Sequence, residues 1–347
     1  MTTVYFGTNR RPNRKRKPDD FGSNFSDDGL ANLRFGVAEV SGDRLENYQL
    51  EIAPERLRSD WERKIKDGPG SVLGSETVFR RVRQEMIDHS CDTVVFIHGY
   101  NVSFHQALTS AARLKQKLSE GQGGMHLNMV LFSWPSDGSM MPYVAYANDR
   151  QDALASGPAF ARGLLKLADF LRGATPEQSC DQRIHLIAHS MGNYVLRHTV
   201  QHYIAQSQGR PARLFDQVLL MAADEDDDAF EHDNKLKPLP RLAKRVYVYF
   251  NSKDRAMAVS DKTKGNPDRL GDDGPRVPRG VPGKVSLIDC TPVVGGLVEH
   301  SYYLDTPIVV TDMQSVLAGT PSNEIDGRKY VQETNCYRLT PHNRAEI

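Results

Sequence analysis

The sequence predicts an α/β fold, a mostly parallel central sheet with helices on both faces. Two observations carry this. Apolar runs of strand length alternate with helix-like runs through the middle of the chain, the order expected of βαβ units. One junction, Ile184-His185-Leu186-Ile187 followed by Ala188-His189-Ser190-Met191-Gly192 and Asn193-Tyr194-Val195-Leu196-Arg197, reads as strand, sharp turn and helix in succession. At 347 residues the chain can bury a full core as one large α/β domain with insertions.

The elements follow in order. Thr3-Val4-Tyr5-Phe6 and Arg34-Phe35-Gly36-Val37-Ala38-Glu39-Val40 read as outer antiparallel strands, and residues 75–89 as a helix leading into the central strands. Thr93-Val94-Val95-Phe96-Ile97 is a buried strand followed by a helix over 104–118. Asn128-Met129-Val130-Leu131-Phe132 is the next strand, with a helix over about 149–171 after the Trp134-Pro135-Ser136 loop. The strand over 183–188, the sharp turn and a helix to about 205 come next. Strands at 217–221, 244–250 and 284–288 complete the series, and a helix over 309–317 closes it. The expected organisation is a single domain over 1–320. Within it, residues 1–90 are outer strands and a helix, 91–320 the core, and 255–284 a long loop at the active site. Residues 321–347 read as an extension with little core pattern. A long aperiodic loop inside a compact domain is either functional or disordered.

Lys plus Arg and Asp plus Glu both number 44, so no global charge favours nucleic acid or an anionic membrane. The local basic run Arg10-Arg11-Pro12-Asn13-Arg14-Lys15-Arg16-Lys17 reads as a solvated tail, with a nucleic-acid tether as the alternative. Cys91, Cys180, Cys290 and Cys336 are scattered, which suits reduced thiols better than a disulfide framework or a zinc site. Met1-Thr2-Thr3-Val4-Tyr5 lacks a signal-peptide pattern, and no apolar stretch approaches the roughly 18 residues of a membrane span. A soluble cytoplasmic protein is the expectation.

Small-x-Ser-x-Gly at a strand–helix junction is the context of a nucleophile elbow, in which the serine Oγ stands clear of the sheet on a strained turn. Ser190 is then the nucleophile, Gly192 gives clearance, and Ala188 stands where a glycine is usual. The competing reading is a serine N-cap on an ordinary helix. A serine nucleophile needs a base and an acid, which in a doubly wound sheet follow it in the order Ser, Asp/Glu, His beyond strand ends. Asp254, after the strand at 244–250, fits the acid; His300, after the last strand, fits the base. Asp224, after the preceding strand, is a rival acid. Its run Asp224-Glu225-Asp226-Asp227-Asp228 has EF-hand spacing but carries Ala229 at the sixth position and Lys235 at the twelfth. It reads instead as a solvated loop at the site's edge. Met191 and either Tyr100 or Asn101, in His98-Gly99-Tyr100-Asn101-Val102, are the oxyanion-hole amides. Trp134, Tyr143, Tyr146 and the loop over 261–283 are candidates for the substrate wall. His198 and His202 have zincin spacing, but Thr199-Val200-Gln201 lacks the glutamate base, so no metal is expected.

Phe96-Ile97-His98-Gly99-Tyr100-Asn101, Phe132-Ser133-Trp134-Pro135-Ser136 and Ala188-His189-Ser190-Met191-Gly192 together resemble the DUF900 branch of bacterial α/β-hydrolases. So do Tyr5-Phe6-Gly7-Thr8-Asn9-Arg10, Ala222-Ala223-Asp224, Ser252-Lys253-Asp254-Arg255-Ala256 and His300-Ser301-Tyr302-Tyr303. The resemblance spans residues 3–317 and implies an α/β-hydrolase fold with a triad of Ser190, Asp254 and His300; it supplies no substrate. The expected function is a cofactor-free serine hydrolase acting on an ester of a small or lipid-like acyl substrate. Amide or thioester cleavage, or a non-catalytic binding role on the same fold, are the alternatives.

Overall fold

The structure, a computed structural model, describes residues 1–14, 17–30, 32–42, 44–53, 74–136, 142–173, 180–254, 268–295 and 300–341. Its strands are β1 (Thr2–Thr8), β2 (Arg10–Pro12), β3 (Phe21–Phe25), β4 (Arg34–Ser41), β5 (Asn47–Ile52), β6 (Asp92–Ile97) and β7 (Leu127–Ser133). These are followed by β8 (Ile184–His189), β9 (Phe215–Met221), β10 (Ala243–Phe250), β11 (Val285–Asp289), β12 (Arg328–Val331) and β13 (Cys336–Leu339). The helices are α1 (Ser75–Asp88), α2 (Phe104–Ser119), α3 (Pro142–Arg172), α4 (Gly192–Gln206), α5 (Leu270–Asp273), α6 (Tyr302–Asp305) and α7 (Pro307–Ala318).

Eleven strands form one sheet in the order β12-β13-β11-β10-β9-β8-β6-β7-β1-β4-β5, and β2 pairs with β3 in a separate hairpin. From β13 to β1 neighbouring strands run parallel; β12, β4 and β5 are antiparallel additions at the edges. Every residue of β6 is buried, because helices cover both faces. Alternate side chains divide between two cores. Val95, Ile97, Leu186 and Ala188 join the layer of α1, α3 and α4. Val94, Phe96, Ile187 and Leu219 join that of α2 and α7. Helix α2 starts at a reciprocal cap: the Ser103 hydroxyl accepts from the Gln106 amide, and the Gln106 side chain accepts from the Ser103 amide.

From β6 the chain moves outward to β7, then returns through α3 to place β8 on the other side of β6 and builds on to β9, β10 and β11. The carboxyl ends of β6 and β8 therefore flank the point where the winding reverses, the place where open α/β sheets present their sites. Among the described residues no helix is long and apolar enough to cross a membrane.

Several expectations need correction. The strand series does not stop at β11: β13 and β12, from the segment read as an extension, continue the same sheet. Arg10 is not part of a solvated tail. It lies fully buried in β2, while Arg11 and Arg14 pair with Asp27 and Asp19 at the hairpin surface. The described part of the expected long loop carries α5 and a 3-10 turn at Pro278–Gly280. It also packs closely on the end of β9, since a Cβ on Gly271 would stand 2.4 Å from the Ala222 carbonyl carbon and the Ala223 nitrogen. Residues 255–267 lie outside the described residues.

Candidate active site

Ser190 sits between the end of β8 and the start of α4 with φ 52°, a left-handed conformation that costs a non-glycine residue roughly 1–3 kcal/mol. Local hydrogen bonds hold it there. Its amide donates to the Met221 carbonyl at 3.0 Å, and the Asn193 amide donates to the Ser190 carbonyl at 3.0 Å. The Asn193 side chain, fully buried, also donates to the carbonyls of Ser190 and Ala188 at 3.0 and 3.1 Å. Sequence reasoning missed Asn193; its only signal is a polar amide in a helix's first turn. Gly192 is required by space, because a Cβ there would lie 2.6 Å from the His98 carbonyl oxygen and 2.7 Å from that of Ile97.

The loop after β6 presses on this elbow: a Cβ on Gly99 would meet the Ser190 Cβ at 3.0 Å. Of the expected oxyanion donors, the amides of Met191 and Tyr100 donate to no protein acceptor among the described residues. The Asn101 amide differs. It donates to Asp149 Oδ2 at 2.8 Å, so it is engaged away from the serine. Asp149, fully buried on α3, also accepts from the Ser136 hydroxyl at 2.5 Å, and Ser136 accepts from the Val102 amide at 3.1 Å. Arg10 completes the brace by donating to the Val102 carbonyl at 2.7 Å and the Ser133 hydroxyl at 2.9 Å.

His98 is buried within the same brace. Its Nε2 accepts from the Trp134 amide at 3.2 Å, so the proton resides on Nδ1, which donates to the Gly99 carbonyl at 2.8 Å. Burial, with the Arg10 guanidinium nearby, pushes its pKa down to about 3, so it stays neutral. The Trp134 ring stacks on His98 at 5.2 Å and donates to the His98 carbonyl at 2.9 Å. Trp134 is fully buried, so it supports the loop from behind and is not the substrate wall expected from the sequence.

Asp254 and His300, 46 residues apart, come together: His300 Nδ1 lies 2.7 Å from Asp254 Oδ2, and the Asp254 side chain is fully buried. Among the described residues no hydrogen bond joins the Ser190 hydroxyl to His300. The neighbouring His189 links the two regions. Its ring lies 4.7 Å from that of His300 and 4.6 Å from that of Tyr303, and its Nε2 donates to the His300 carbonyl at 3.1 Å. Burial lowers the His189 pKa well below the ordinary range, so it too remains neutral.

The rival acid Asp224 has other partners. It accepts from the Tyr146 hydroxyl at 2.8 and 3.0 Å and lies 3.5 Å from the Arg269 guanidinium. The acidic run is not solvated, as expected, but forms a mostly buried ion-pair network. Arg269 meets Asp226 at 2.7 Å, Arg197 meets Glu225 at 3.3 Å, and Lys235 bridges Asp226 and Asp228. Burial pushes the pKa of Glu225 up to about 7. Tyr146 is buried in this network, with its ring edge-on to Tyr100 at 5.7 Å. The Tyr143 side chain lies outside the described residues. His198 packs edge-on against Tyr194 at 4.6 Å, and burial lowers its pKa to about 4.

The chain is 31% identical over 162 residues to the uncharacterized protein alr1448 of Nostoc sp. (strain PCC 7120), a match covering 40% of this chain and 38% of that one. Among solved structures it is similar to the alpha/beta hydrolase LAE6 from the metagenome of Lake Arreo, Spain. Identity there is 11% and the TM-score 0.35, over 90% of this chain and 85% of that one. It is also similar to the acylaminoacyl peptidase of Pyrococcus horikoshii, with 13% identity and TM-score 0.34 over 88% of this chain and 41% of that one. Residues 75–319 match the family model described as alpha/beta hydrolase of unknown function (DUF900), and the chain belongs to that family.

Proposed function

We propose that the protein is a serine hydrolase that cleaves a carboxylic ester, or a related acyl bond, of a small or lipid-like substrate through an acyl-enzyme on Ser190. The observation that carries this reading is the 2.7 Å contact between Asp254 and His300, in a fold whose strained elbow presents Ser190 at the topological switch point. His300 Nε2 takes the Ser190 proton as Oγ forms its bond to the acyl carbon. The amides of Met191 and Tyr100 receive the oxyanion, a contribution of about 10²–10³ in rate per donor. His300 then passes the proton to the departing alcohol. Water, deprotonated by the same nitrogen, releases the acid and restores the serine. Asp254 holds the imidazole tautomer and stabilises the imidazolium.

The absent Ser190–His300 hydrogen bond favours a second reading, a non-catalytic binding protein on the same fold. In free enzymes such contacts are often long and tighten on binding substrate. The reading places the site in a single domain and, given the free thiols of Cys91, Cys180, Cys290 and Cys336, in a reducing cytoplasm. Stopped-flow hydrolysis of p-nitrophenyl acetate tests it: the wild type should release a burst of nitrophenol close to one equivalent per active site, and Ser190→Ala none. A wild type without turnover, or a mutant with equal turnover, would leave the binding reading in place.

A further inference from the structure

A cavity of about 350 Å³ opens at the opposite end of the sheet, between the amino ends of β6 and β8 and the layer formed by α1 and the C-terminal part of α3. Six residues of β8 separate Ile184 at its rim from Ser190, roughly 20 Å at strand rise, so it is distinct from the elbow. Its walls are apolar: Phe79, Val82, Val95, Val130, Phe170 and Leu214. Its volume falls within the roughly 300–1,000 Å³ of small-molecule sites.

Three polar features turn this space into more than a packing gap. Thr93, only 2% exposed, is among the lining residues, and its buried hydroxyl has no hydrogen-bond partner among the described residues. Arg83 and Arg213 also line it, and among the described residues neither guanidinium meets a carboxylate. Arg83 lies over the Phe170 ring at 4.8 Å, and Arg213 is exposed. The third lining arginine, Arg183, is already engaged by Asp92 at 3.6 Å and at 3.8 Å by Asp216, a carboxylate that itself lines the cavity. An apolar chamber with two carboxylate-free cations suits a molecule with an apolar body and an anionic head.

We propose that this cavity binds an amphiphilic carboxylate of the fatty-acid type, with its chain against the apolar wall and its carboxylate on Arg83 and Arg213. Cys180, a free thiol lining the same space, reports occupancy at this position without reference to the serine site. The test is the rate at which N-ethylmaleimide alkylates Cys180, read by peptide mass spectrometry, in wild type and in Arg83→Glu/Arg213→Glu, with dodecanoate titrated below its micellar concentration. Dodecanoate should slow alkylation saturably in the wild type. The charge-reversed variant, which leaves the apolar core intact, should need roughly tenfold more dodecanoate or lose protection, and neutral 1-dodecanol should protect the wild type more weakly. Alkylation indifferent to dodecanoate would overturn the proposal. So would equal protection in both proteins.

Discussion

Asp254→Asn isolates the charge that the proposed mechanism requires next to His300. The side chain keeps its volume and one oxygen, so the fold should survive, but the carboxylate 2.7 Å from His300 Nδ1 is gone. During attack by Ser190 the imidazole becomes an imidazolium. Two unit charges about 4 Å apart between centres interact by about 4 kcal/mol at an effective dielectric of 20. At about 1.4 kcal/mol per decade this is close to a thousandfold in rate. The amide NH₂ can also turn toward Nδ1 and select the wrong tautomer, which acts in the same direction. The assay is kcat/KM for p-nitrophenyl acetate, with circular dichroism to establish folding, and Asp224→Asn measured in parallel. Asp224 is held by Tyr146 and Arg269, so its substitution should cost less than about tenfold in rate and act mainly on stability. A folded Asp254→Asn protein within tenfold of wild type, or a larger loss from Asp224→Asn, would refute the assignment.

Three further predictions concern the scaffold. Gly192→Ala drives a methyl group to 2.6 Å from the His98 carbonyl, and overpacking should cost about 1–3 kcal/mol, lowering Tm by several degrees together with the esterase rate; an unchanged Tm and rate would contradict the clearance argument. Asp149→Ala strips the acceptor from the Asn101 amide and the Ser136 hydroxyl, and should cost about 2–4 kcal/mol in thermal unfolding, with Asp149→Asn recovering part of it; equal melting of all three proteins would count against the brace. His98, held neutral with a pKa of about 3 against an ordinary 6.5, makes the unfolded chain bind more protons between those values, so its contribution is full above pH 6.5 and is lost as pH falls toward 3. Melting curves from pH 7 to 4 should therefore drop more steeply for wild type than for His98→Gln, and identical slopes would disprove the linkage.

The parts of this fold that could be read from the sequence are those whose side chains report burial directly. Thr93-Val94-Val95-Phe96-Ile97 and Gln217-Val218-Leu219-Leu220-Met221 are continuous apolar runs because both faces are covered, and their strands fall where expected. The four-residue strands β12 and β13 were too short and polar to stand out. In β5, Tyr48, Leu50 and Ile52 alternate with exposed polar residues, a period-2 signal weakened because the alternate positions are only half-buried. Charge was the least informative cue. Arg10 reads as the start of a basic tail because Ser133, Ser136 and Val102, which hold it together with the nearby Gly22 carbonyl, are more than 90 residues away in sequence. The acidic run reads as solvated because Arg197 and Arg269 reach it from elsewhere in the chain.

The site divides in the same way. The elbow was legible because its geometry demands small residues at fixed offsets around Ser190, and chain order pointed to Asp254 and His300, which do meet. The choice between Tyr100 and Asn101 was not legible, since it turns on Asp149 of α3 capturing the Asn101 amide. Trp134 was misplaced for a related reason: an aromatic residue in a loop beside a site looks like a wall until its partner, here the His98 ring, is known.

The proposed mechanism depends on Ser190 acting as a nucleophile activated by His300. The most direct measurement is the rate of covalent labelling by a fluorophosphonate, with the modified residue located by mass spectrometry, in wild type, Ser190→Ala and His300→Ala. A single adduct on Ser190 is expected in the wild type, none in Ser190→Ala, and labelling slowed by about a hundredfold or more in His300→Ala. A wild type that stays unlabelled, an adduct at another residue, or equal rates with and without His300 would contradict it.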